Sequence, residues 1–175
     1  MQELDTQNKL LMLFILDKFD LPITDNALVE MVTGKNDWLP HLDCQLAIGD
    51  LVDTNFVYQS YQDGHRYYSI TPNGRQCVSH FYHNIPQSLQ REISEYIKKN
   101  RMNMRRNQEY FRHYTKNPDG TYTVTLKIID PYQTTLDLKI IVSSEQSAKQ
   151  AYTKWTEKAA RTYHWLHEEL LNEDN

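Results

Sequence analysis

Along the chain, hydrophobic residues recur first at helical spacing, then in strand-like alternation or aromatic runs, then at helical spacing again, and the cycle runs twice. In the first cycle Leu10, Leu11, Leu13, Phe14 and Leu16 run nearly all round a helix that Asp5 or Thr6 can cap, the pattern of a central, largely buried element. Leu21-Pro22 lies beyond its end, because proline disfavours helical backbone in the residue before it. Thr24 caps a short second helix, Asp25 to Met31, with Asp25 in the first turn, where the macrodipole favours negative charge, and Gly34 past its end. A third helix begins between Asp37 and Pro40 and carries Leu42, Cys44, Ile48, Leu51 and Val52 to Asp53.

Two aromatic and β-branched runs, Phe56 to Tyr61 and Arg66 to Ile70, flank the turn Gln62-Asp63-Gly64-His65 and predict a β-hairpin. Thr71 then caps a fourth helix, with Pro72 at its first position and Val78 and Phe81 facing inward. The second cycle starts after Pro86 with a polar helix bearing Leu89, Ile93, Tyr96 and Ile97 on one side. Beyond the Asn117-Pro118-Asp119-Gly120 turn, Tyr122, Val124, Leu126 and Ile128 alternate with Thr and Lys. The pattern returns after Asp130-Pro131 as Leu136, Leu138, Ile140 and Val142, which predicts an antiparallel hairpin with one apolar face. Asn107 to Tyr114 is expected to add a third strand. Ser143, with Gln146 as its capping-box partner, opens a last helix whose stripe is Ala148, Tyr152, Trp155, Ala159, Tyr163, Leu166 and Leu170, suited to cover the sheet or a partner helix.

The order helix, helix, helix, hairpin, helix places the chain in the α+β class. An N-terminal winged helix-turn-helix (1–84) is expected ahead of an α+β domain (85–175) in which a linking helix, a small antiparallel sheet and a long C-terminal helix follow one another. Leu51-Val52-Asp53-Thr54-Asn55-Phe56-Val57 followed by Tyr68-Ser69-Ile70-Thr71-Pro72-Asn73-Gly74-Arg75 resembles the helix-three-to-wing and wing-to-helix-four signatures of PadR and MarR type regulators. With Ile85-Pro86-Gln87-Ser88-Leu89 and the remainder, the whole length is similar to a bacterial domain-of-unknown-function family, the one numbered 4364, that carries this winged helix. The resemblance implies a DNA-binding transcriptional regulator, and regulators of similar fold are homodimers.

Charge complicates that expectation. The net charge is −4 over 175 residues, but residues 1–80 carry eleven acidic and five basic side chains while residues 81–175 carry twelve acidic and fourteen basic. From Asn36 to His65, the expected recognition helix and most of the wing, there are five Asp and no Lys or Arg, so the phosphate attraction behind non-specific DNA affinity is missing there. That helix offers His41 and Gln45 as base readers; His65 and Arg66 at the wing tip and Arg75 early in the fourth helix are placed by fold analogy. The denser basic stretch is Lys98, Lys99, Arg101, Arg105, Arg106 and Arg112, opposed by Glu109 and interleaved with Tyr110 and Phe111. It suits either a phosphate backbone or a solvated surface pairing with the acidic first half. Leu39, Leu42 and Leu46 lie off the core seam of the third helix, which widens its apolar surface and suits cover by a protein partner or by the second half of the chain.

No enzyme is expected. There is no GxGxxG, phosphate loop, GxSxG or HExxH motif, and Cys77 near His80 lacks an orienting group. His80 with His83, and His164 with His167 and Glu168, sit at helical spacing but have no matching pair, so neither a metal nor a cofactor is expected. Cys44 and Cys77 read as reduced core thiols. No positive leader segment or long apolar run is visible, so a cytoplasmic protein without membrane contact is expected. The two functional readings are a double-stranded-DNA-binding regulator, homodimeric by analogy, and a winged-helix protein-interaction module that does not bind DNA.

Overall fold

A computed structural model describes residues 2–172. The chain divides into two compact units that meet between Arg105 and Arg106, inside a helix, whereas the sequence pattern suggests a boundary at 84/85. The shift has a simple cause: Ile93 and Ile97 of that helix are sunk into the first core.

In the first unit α1 (Gln2–Phe19) is the central rod, with every residue from Leu10 to Leu16 buried. It begins at Gln2, so Asp5 and Thr6 lie within it and do not cap it; Asp5 pairs instead with Lys9 one turn on, at 2.7 Å. Thr24 caps α2 (Asp25–Thr33) as expected, its hydroxyl accepting from the Ala27 N–H at 3.4 Å, and Gly34 closes the helix. The third helix, α3 (His41–Asp53), starts just after Pro40, and its inward face is Cys44, Ala47, Ile48 and Leu51. Leu39 is buried ahead of the helix and so does not share the outer surface with Leu42 and Leu46.

A two-residue strand, β1 (Ile23–Thr24), absent from the sequence reading, pairs antiparallel with β3 (His65–Ile70), which pairs in turn with β2 (Val57–Gln62). The β2–β3 turn needs left-handed backbone at both central residues, and Asp63 (φ 51°) and Gly64 (φ 77°) supply it. Next comes α4 (Pro72–Phe81), which buries Val78 but leaves Phe81 half exposed, contrary to its expected inward position at the end of the helix. A single 3₁₀ turn, Tyr82–Asn84, then leads to α5 (Gln87–Glu109). Trp38 holds α5 to this unit: its ring meets Tyr96 edge-on at 5.5 Å and its indole N–H donates to Glu92 Oε1 at 2.9 Å.

The second unit is an antiparallel meander, β4 (Tyr110–Lys116), β5 (Tyr122–Ile129) and β6 (Thr134–Val142), in spatial order β4-β5-β6. The third strand anticipated from Asn107 starts at Tyr110, because residues 107–109 are the last helical turn of α5. α6 (Glu145–Leu171) follows; its cap is Ser144, whose hydroxyl accepts from the Ser147 N–H at 3.2 Å, one residue later than the Ser143 and Gln146 box. Ala148, Trp155 and Ala159 bury against Val124 and Leu126. The rest of the predicted stripe does not bury as fully, and Leu170 is 72% exposed. Among the described residues the chain has six α-helices and two small antiparallel sheets, and no helix is long and apolar enough to cross a membrane.

Candidate nucleic-acid interface

The two sequence segments that carry the resemblance meet in space. Asn55, in left-handed backbone (φ 60°), turns the chain out of α3. The Asn55 and Phe56 carbonyls both accept from the Thr71 hydroxyl, at 2.9 and 3.1 Å, while Phe56 O also accepts from the Thr71 N–H at 3.1 Å. The same hydroxyl accepts from the Gly74 N–H at 3.0 Å and so caps α4. Thr71 is buried, and this junction fixes α4 relative to the end of α3 and the start of the hairpin.

Arg75, one residue on, is engaged within the unit. Its guanidinium pairs with Asp17 at 2.8 Å and with Asp20, and the Asp20 hydrogen bond raises its pKa further. Arg66 on the hairpin is similarly engaged: it lies 5.6 Å from the centre of the Tyr61 ring and donates to the Tyr68 hydroxyl at 3.4 Å. His65 at the tip is half-buried.

The outer side of α3 presents His41, Leu42, Gln45, Leu46, Gly49, Asp50 and Asp53, with Leu42 67% and Leu46 57% exposed and Gln45 half-buried. Its acidic groups are partly occupied within the unit: Asp43 accepts from Asn8 at 3.3 Å and Asp50 pairs with Lys9 at 2.8 Å. No Lys or Arg lies on this helix, so it presents apolar and acidic surface where a groove-reading helix carries cations.

Four exposed candidate cations share one face of α5. Lys98, Lys99, Arg105 and Arg106 are exposed, and their i, i+1, i+7, i+8 spacing places them with exposed Met102 on the side opposite buried Ile93 and Ile97. Between Tyr96 and Gln108 the helix has no acidic residue. Arg101 is half-buried on the flank, and Arg112 on β4 sits 4.6 Å over the Tyr152 ring. The eleven candidate residues are therefore spread over α3, the hairpin, α4, α5 and β4, and four of them form one run of exposed charge. The partners of Arg75 and Arg66 within the unit were not anticipated from sequence.

Burial pushes the Cys44 thiol up to about 11, with the nearby Asp25 charge adding to it, and burial also raises Cys77. His80 Nδ1 lies 2.7 Å from Gln76 O and His164 pairs with Glu168 at 3.0 Å; among the described residues no three His, Cys, Asp or Glu side chains converge.

A family model described as a domain of unknown function, DUF4364, matches residues 8–170. No curated protein and no solved structure matches the chain.

Proposed function

The chain belongs to the DUF4364 family, and from that premise we propose that it is a DNA-binding transcriptional regulator of the winged-helix type that grips the duplex backbone through α5. The reading is supported by the succession α1, α2, α3, hairpin and α4, by a third strand closing the hairpin sheet, and by the junction at Thr71 that binds α4 to the wing. The observation that carries it is the exposed Lys98, Lys99, Arg105 and Arg106 face of α5, with no acidic residue interrupting it. Such a strip suits phosphates, which supply affinity without sequence selection, while His41, Gln45 and His65 are the proposed base-edge or groove contacts. The proposal assigns no catalytic residue, metal or cofactor.

The specific observation favouring the second reading, a protein-interaction module that leaves DNA alone, is the acidic and apolar outer side of α3. Fluorescence anisotropy of a labelled duplex distinguishes the two. The DNA reading expects retention at low salt, and expects Lys98→Glu, Lys99→Glu and Arg106→Glu together to weaken binding about ten-fold or more, with the log–log salt slope shallower by about 0.9 for each phosphate that is no longer neutralised. Absence of binding by the unaltered protein at low salt supports the interaction module, and unchanged affinity in the triple variant removes α5 from the interface.

A further inference from the structure

Among the described residues the strand β6 is an edge of its sheet, and the two charges it carries, Asp137 and Lys139, are of opposite sign. It spans nine residues, contains no proline or glycine, and exposes Ile140 (43%) and Ile141 (63%), one on each face of the sheet. The other edge, β4, is shorter and carries Arg112, His113 and Lys116 without an acidic residue, so a second β4 meets it with like charge.

The sequence of β6 is complementary to itself when reversed. Laid antiparallel on a second copy about Leu138, Asp137 stands opposite Lys139 of that copy, and Lys139 opposite its Asp137. Leu136 then meets Ile140, and Leu138 meets its own equivalent. Alternation keeps Leu136, Leu138 and Ile140 on one side, that of their β5 neighbours Ile128, Leu126 and Val124, which is the side α6 covers. Moving the two-fold centre to Asp137 or Lys139 sets like charges directly opposite each other, and a centre between residues pairs positions from opposite faces of the sheet.

We propose that β6 is a self-association edge, pairing with β6 of a second copy of this chain about Leu138 to make one continuous six-stranded antiparallel sheet. Asp137, already 3.6 Å from Lys127, then lies between two ammonium groups. The proposal stands apart from DNA binding, since every group it uses lies in the second unit.

Sedimentation velocity on the full chain without DNA tests it. The expected results are a dimer for the unaltered protein at tens of micromolar and a dissociation constant at least about ten-fold weaker for Asp137→Lys or Lys139→Asp alone, because each change makes two symmetry-related pairs repulsive. An equimolar mixture of the two variants is expected to form a one-to-one dimer, and the double variant carrying both changes to self-associate again. A monomeric unaltered protein, single variants that associate as tightly as it does, or a mixture that stays monomeric each overturns the proposal; regain of association in the mixture also shows that both variants are folded.

Discussion

Replacing Gly74 by alanine is expected to destabilise the first unit by about 3 kcal/mol or more, although alanine is the better helix former. A Cβ at this buried position collides with the Phe56 carbonyl oxygen and stands 2.8 Å from Ile70 Cγ1 and 3.3 Å from Leu13 Cδ2. A side chain can swing aside, but the Phe56 carbonyl is fixed by two hydrogen bonds from Thr71, so relief requires α4 to leave the junction. Gly49→Ala is the control: nothing lies within 4 Å of its Cβ on exposed α3, and stability there is expected to rise by about 0.5–1 kcal/mol. Urea titration of both variants reads the opposite signs; equal midpoints for Gly74→Ala and the unaltered protein contradict the steric account.

Trp155→Ala is expected to cost about 3–5 kcal/mol and to act on the second unit. That core rests on few buried residues, of which Trp155, 3% exposed, is the largest; the others are Val124, Leu126, Ala148 and Ala159. Its indole N–H also donates to Lys127 O at 3.1 Å. Trp155→Phe keeps most of the apolar bulk and forfeits that donor, so a smaller loss of about 1–2 kcal/mol is expected. Hydrogen exchange locates the effect: in Trp155→Ala the amides of β4, β5 and β6 lose protection while those of α1 keep theirs. Equal loss in α1 rules out separate cores.

Local chemistry made much of this fold legible. The all-round apolar run of α1, the Thr24 and Thr71 caps, the Asp63-Gly64 turn and the alternation of β5 and β6 are each written within a few neighbouring residues, and each formed as read. What escaped depends on distant partners. β1 has two residues and no periodicity, and exists because β3 offers Ile23 and Thr24 an edge. Phe81 and Leu39 exchanged expected environments because burial at a helix end depends on what the next element covers.

The candidate interface was less legible for the same reason. Fold analogy places Arg75 among the candidate contacts, but Asp17 and Asp20, more than fifty residues earlier, pair with it. Arg112 likewise belonged to a basic stretch in sequence and is held over Tyr152, forty residues later. The exposure of Lys98 and Lys99 follows from helical spacing alone, which sets the side of α5 they occupy.

The pairing of β1 with β3 has a kinetic consequence. Every other strand pair joins neighbours across a short turn, whereas Ile23 reaches Tyr68 only after α2, α3 and β2 have been threaded between them. Closing that long loop is entropically slow, so the two hairpin systems are expected to collapse first and this pairing to lock last. Ile23→Val is then expected to hasten unfolding while leaving the refolding rate nearly unchanged in stopped-flow experiments.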